Sequence, residues 1–232
     1  MEALDMLANN LANSTTSGYK LDREFYSLFD GTEDATTEGQ SMTKLPSIQS
    51  QWTDFTQGTL QTTGNPLDLS LSGKGFFVVN GPNGPLYTRN GSFQLSQTGV
   101  LQTTEGYPVS GVGGTTIKTQ SQGQIKVSAD GTVEQDGQTL GQLQLADFQN
   151  RSLLVKEGSS YFKSSGDANK PVPPGDTTVS QGKIEASNVQ PAELAVRLVG
   201  LSRQFEMLQK AITLTSDMNK QALAEVARVG GA

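Results

Sequence analysis

From Leu194 onward the chain places apolar residues at alternating steps of four and three: Leu194, Leu198, Leu201, Phe205, Leu208 and Ile212. Thr215, Asn219, Ala222 and Val226 keep the step with weaker side chains. This is an a/d heptad stripe, the spacing of a coiled coil. A stripe so narrow suits one or two partner helices rather than the broad face of a globular core. The same step recurs at the other end of the chain, at Leu4, Leu7 and Leu11. Two terminal helices around a long non-helical middle predict a chain made to be bundled with others.

The middle reads as β. Leu67, Leu69 and Leu71 alternate with polar residues, and Gly75 leads into the apolar run Phe76, Phe77, Val78 and Val79. Turn dipeptides follow at Asn80-Gly81, Asn83-Gly84, Asn90-Gly91, Thr98-Gly99, Glu105-Gly106, Asp130-Gly131 and Asp136-Gly137. Asn-Gly and Asp-Gly supply the positive φ that two-residue hairpins need. Strands are expected between them at 86–89, 92–96, 107–110, 124–128 and 138–147, with one more over 177–186. The expected fold is therefore mostly β with terminal helices. A central all-β domain of short strands and hairpins is flanked by N- and C-terminal coiled-coil-forming helices. The corresponding divisions are 1–29 for the N-terminal helix and following segment, 30–66 for an extended arm, 67–186 for the β domain and 187–232 for the C-terminal helix. That last helix has a marked start. Pro191 is tolerated in a first turn, Asn188 is an N-cap candidate, and Glu193 complements the positive end of the helix dipole.

Composition removes whole classes of function. The chain has no cysteine and no histidine, so thiolate chemistry, the usual general base and the commonest zinc ligand are unavailable. No metal, cofactor or small-molecule substrate is expected. The net charge of −6 comes without any run of Lys or Arg, which argues against a nucleic-acid partner or an anionic membrane surface. No stretch approaches the length of a bilayer span, and Glu2 and Asp5 interrupt the only candidate apolar n-terminal segment. Neither membrane insertion nor a cleaved signal peptide is expected.

Several blocks resemble one known family. Leu7-Ala-Asn-Asn-Leu-Ala-Asn13, followed by Thr16, Gly18, Tyr19 and Lys20, resembles the N-terminal signature of the bacterial flagellar basal-body rod and hook proteins. Gly58-Thr-Leu-Gln-Thr-Thr-Gly-Asn-Pro-Leu-Asp68, leading to Gly73-Lys-Gly-Phe-Phe77, is similar to the family's second block. Tyr87-Thr-Arg-Asn-Gly-Ser-Phe93 with Gly99 to Val109 is similar to its third, and Gly182-Lys-Ile-Glu-Ala-Ser-Asn-Val189 opens the heptad helix as in that family. Ser187 to Glu193, Arg203-Gln-Phe-Glu-Met207 and Lys210 are most similar to the proximal rod branch, with the distal rod branch next. The resemblance implies a structural subunit of the rod, located in the flagellar basal body in the periplasm. It implies assembly with other rod and hook axial proteins and passage through the flagellar export apparatus. It also implies further helical turns ahead of the asparagine-rich block, so the N-terminal helix that opens at Met1 is expected to be cut short. A secreted β-domain adhesin or phage tail component with a coiled-coil stalk would explain the two ends, but not these blocks.

The candidate assembly residues are Leu4, Leu7, Leu11 and the six stripe residues from Leu194 to Ile212, together with Asn9, Asn10 and Asn13. The three asparagines suit helix-end capping in solvent and equally suit amide hydrogen bonds to neighbouring subunits. Asp54, Asp68, Glu105 and Asp147 are read as solvated turn carboxylates rather than a hydrolase pair. Gly73-Lys-Gly75 lacks the spacing of a phosphate loop and is read as a close backbone approach before a strand. Trp52 and Phe55 are expected to form one small cluster anchoring the arm.

Overall fold

The computed structural model describes residues 2–29, 45–119, 123–165 and 169–229. The chain forms two compact units, a body of Ala12–Val189 and a helical unit of Met1–Leu11 with Gln190–Ala232. The fold is mostly β, with a short N-terminal helix, α1 (Glu2–Ala12), and a long C-terminal helix, α2 (Pro191–Val229). Among the described residues no helix is long and apolar enough to cross a membrane.

The largest sheet of the body has five strands, ordered Leu145–Ala146, Phe76–Gly81, Gly84–Thr88, Tyr161–Ser164 and Leu154–Glu157. Every pairing in it is antiparallel. Successive side chains on a strand face opposite sides, so an unbroken apolar run must be covered on both. The run Phe76 to Val79 is buried throughout. Phe77 and Val79 enter one core with Leu69, Leu71, Val109 and Leu143. Phe76 and Val78 enter a second, with Tyr87, Phe148, Leu154 and Phe162. Rings in the second core meet edge to face, as the aromatic quadrupole favours, with centroids 4.7 Å apart for Tyr87–Phe148 and 5.0 Å for Phe55–Phe162.

Smaller ladders complete the body. Ile125–Val127, Thr132–Gln135 and Gln138–Gln142 form a meander whose second turn is Asp136-Gly137, both at positive φ (51° and 81°). That is the two-residue hairpin the dipeptide predicts. Leu69–Ser72 pairs with Thr178–Gln181, and Leu60–Thr62 pairs with Lys183–Glu185. These two ladders bring the end of the body's sequence back against residues 60–72.

Several local expectations are corrected. Asn80-Gly81 is the end of a strand, and Gly81 pairs with Gly84, so the turn residues there are Pro82 and Asn83. Residues 107–110 form only isolated bridges, Pro108 to Gln102, Val109 to Val79 and Ser110 to Thr116. The stretch 177–186 is two strands that change partner at Gly182. Leu69, Ser70 and Leu71 are all buried, so this strand is covered on both faces and not alternately exposed. Residues 45–50, assigned to the extended arm, belong to the strand Leu45–Thr53, which pairs with Asp22–Phe29. The arm residues 30–44 lie outside the described residues. Trp52 and Phe55 go separate ways. Phe55 packs on Phe76 and Phe162, whereas Trp52 stays 45% exposed with the Arg23 guanidinium 5.8 Å from its ring centre.

Candidate functional site

Two features stand out, the apolar faces of α2 and a charged node inside the body. Helix α2 begins at Pro191, where a missing N–H costs nothing. Arg197 donates to Glu193 one turn earlier at 2.7 Å. Asn188 does not cap it. Its side-chain amide lies within the body, accepting from the Leu21 N–H at 2.8 Å and donating to the carbonyls of Asp54 and Thr56 at 2.8 and 3.2 Å.

The stripe residues become progressively more exposed along α2. Leu194 is buried, Leu198 and Leu201 are half-buried, and Phe205, Leu208 and Ile212 are 49%, 62% and 69% exposed. Sequence reasoning missed the opposite side of the helix. Val196, Val199, Met207, Leu214 and Met218 are all exposed, and at 100° per residue they cluster roughly 180° from the stripe. Arg203 and Lys210 interrupt this second apolar face, which hid its period. In α1, Leu4, Leu7 and Leu11 are half-buried. Asn9 is exposed, Asn13 is half-buried and accepts from the Thr16 hydroxyl at 3.2 Å, and Asn10 is buried rather than solvated.

Inside the body, three charges that sequence analysis quoted only as parts of motifs come together. Lys20, Arg89 and Glu185 are at most 3% exposed. Lys20 Nζ lies 2.5 Å from Glu185 Oε1 and donates to the Thr56 carbonyl at 2.6 Å. Arg89 gives one N–H to Glu185 Oε2 at 3.1 Å and another to the Gly73 carbonyl at 2.7 Å. The Gly58 N–H donates to Glu185 Oε1 at 3.0 Å. Burial pushes the Lys20 ammonium pKa down against the pull of Glu185, and burial does the same to the Arg89 guanidinium.

The backbones around the node are in close contact, which explains the glycines in the motifs. A Cβ on Gly18 would sit 2.2 Å from the Asn90 nitrogen, and one on Gly91 would sit 1.6 Å from the Leu69 carbonyl oxygen. The Gly18 N–H donates to the Glu185 carbonyl at 2.7 Å. The chain that leaves α1 and the chain that leads to α2 therefore run side by side within the body.

The four carboxylates considered for hydrolysis are each tied to a different partner: Asp54 to Arg23, Asp68 to Asn65, Asp147 to Arg151 and Glu105 to the Tyr161 hydroxyl. Asp68 is buried, against its reading as a solvated turn residue.

Three family profiles match the chain. They are the flagella basal body rod protein over 2–20, the flagellar hook protein FlgE/F/G D1 domain over 70–135, and the flagellar basal body rod FlgEFG protein C-terminal region over 180–225. Lys20, Arg89 and Glu185 fall one in each matched segment. Among similar proteins, the flagellar basal-body rod protein FlgF of Caulobacter vibrioides is 31% identical over 227 residues, covering 97% of this chain and 92% of that protein. The rod protein FlgG of Buchnera aphidicola (subsp. Acyrthosiphon pisum) is 33% identical over 246 residues, covering 96% and 93%. FlgG of Bacillus subtilis is 32% identical over 247 residues, covering 97% and 93%.

Proposed function

This chain belongs to the flagellar basal-body rod protein family, whose members are structural proteins and not enzymes, and within it we propose a proximal rod subunit of the FlgF type. The observation that carries the reading is α2. It presents apolar side chains on two opposite faces, and neither face is satisfied beyond Leu201. A helix with two such faces suits a wall in which it has a neighbour on each side. Coiled-coil packing along the Leu194–Ile212 stripe and the α1 leucines is the form this assembly takes in our reading. The partners are other axial rod and hook proteins. The body, tied together at the Lys20–Glu185–Arg89 node, supplies shape rather than chemistry.

In this reading the subunit stands where the rod crosses the periplasm and is delivered by the flagellar export apparatus. The FlgF assignment is supported by length. The FlgF match covers 97% of the chain in 227 positions, whereas the FlgG match takes 246 positions to cover 96% and so requires more gaps. The distal rod type, FlgG, remains the second reading because its identity is as high. The adhesin or phage-tail reading gives way to family membership. Purified basal bodies from cells producing this chain test the proposal. Antibody labelling near the membrane-proximal end of the rod supports the FlgF type, and labelling along the distal rod supports FlgG. Absence from basal bodies refutes both.

A further inference from the structure

Two buried cations in this body depend on one carboxylate that comes late in the sequence. Glu185 lies 165 residues after Lys20 and 96 after Arg89. Among the described residues the other groups in contact with the two cations are neutral: the carbonyls of Thr56 and Gly73, and the Phe76 ring, whose centre lies 5.4 Å from the Arg89 guanidinium. Asp54 acts on Lys20 and Asp147 on Arg89 as lesser, through-space charges, and each is itself paired with another cation, Asp54 with Arg23 and Asp147 with Arg151. We propose that Glu185 is an electrostatic latch: the body closes around Lys20 and Arg89 only when residues 178–188 dock, so completion of the body and fixation of the root of α2 are one event.

The physical reason is a shortage of negative charge. An ammonium and a guanidinium taken out of water and left with carbonyls alone carry a desolvation cost that the interior does not return. The body without its last strands therefore favours an open state, with both cations in solvent. Docking of Thr178–Gln181 on Leu69–Ser72 and of Lys183–Glu185 on Leu60–Thr62 brings in the missing carboxylate together with its ladders. The same step aligns Asn188 with the Leu21 N–H and the Asp54 and Thr56 carbonyls, three residues before α2 begins. The latch works within a single chain and does not depend on what α2 later packs against.

The test is folding kinetics on the full chain, with hydrogen exchange read in the two closing ladders. Glu185→Gln keeps the shape and removes the charge. It should lower the folding equilibrium by roughly a hundredfold or more, mainly by slowing folding, because a latch is needed before closure. A carboxylate that only decorates an already closed body would instead speed unfolding and leave the folding rate alone, and that result overturns the proposal. The triple variant Lys20→Met/Arg89→Met/Glu185→Gln removes the shortage, so folding rate and ladder protection should return to near those of the parent. If Glu185→Gln does not fold at all, the triple variant decides. Recovery supports the latch, and failure of the triple variant as well overturns it.

Discussion

Replacing Phe205 with Asp is the sharpest test of α2 as an assembly surface. Phe205, Leu208 and Ile212 retain 49%, 62% and 69% of their exposure in the single chain. Fully burying such a side chain contributes about 1.5–3 kcal/mol, so the exposed fractions leave roughly 3–5 kcal/mol per helix to be gained from a partner. Phe205 accounts for about 1 kcal/mol of that. The larger effect is the new charge. A carboxylate buried without a partner costs several kcal/mol, which cancels what remains on the stripe.

The isolated chain should scarcely notice the change. Position 205 is half in solvent, and the loss in helix propensity is only about 0.7 kcal/mol at most. Phe205→Asp should therefore leave the thermal melt of the body within a degree or two of the parent, a range expected for a surface change well under 1 kcal/mol at the body. In cells it should leave the rod incomplete and the swarm non-motile. Glu206→Gln on the neighbouring exposed position should do far less, because surface charges contribute little. Normal motility with Phe205→Asp would refute the reasoning, since no rod packed on this stripe could tolerate it.

Other expectations follow from the same structure. Met207→Asp probes the opposite face and should also block assembly while sparing the melt. A rod that forms normally would show that only one face of α2 is used. Gly91→Ala puts a methyl 1.6 Å from the Leu69 carbonyl oxygen, so the strand Leu69–Ser72 must shift. We expect a loss of several kcal/mol, on the order of the larger single-site effects, read as a fall in denaturant midpoint, whereas an unchanged midpoint would show that the two backbones can part. Acid should destabilise the body. For both Asp54 and Glu105 burial acts to raise the pKa, but hydrogen bonds outweigh it and leave both below the usual carboxylate range. The donors are Thr56 and Arg23 to Asp54, and chiefly the Tyr161 hydroxyl to Glu105. Their folded forms thus bind protons less readily than the unfolded chain, so this stability is present above the unfolded value of about 4 and is lost as pH falls through the folded values. Tyr161→Phe should make that acid limb shallower in pH-dependent denaturation, and an identical limb would disprove the role of the phenol.

What could be read in the sequence was what repeats or turns locally. The α2 stripe was visible because its period is carried by large side chains, and Asp136-Gly137 was visible because few other dipeptides accept positive φ twice in succession. The same logic misread Asn80-Gly81. There the register, Gly81 against Gly84, places the turn one pair later, and register depends on which side chains the neighbouring sheet buries rather than on the dipeptide. The second face of α2 was hidden by Arg203 and Lys210. Long cationic side chains can lie along an apolar face while their heads reach water, so they interrupt the pattern without interrupting the surface.

The node is the deeper case. Lys20, Arg89 and Glu185 each sit in a glycine-marked motif, Arg89 and Glu185 in stretches that read as strands. Nothing local says that an ammonium near the start of the body and a carboxylate near its end are partners, because their pairing depends on ladders closed across most of the chain. The signal that could have found them is the glycines themselves. Gly18, Gly58 and Gly91 each meet another backbone so closely that no side chain fits, and such approaches bury whatever charged residue lies beside them. A buried charge then needs an opposite one, and Glu185 is the carboxylate that reaches both Lys20 and Arg89. The four short blocks spread along the sequence are thus not separate signatures. They are four walls of one polar core, and the order in which the chain delivers them puts the carboxylate that bonds both cations last.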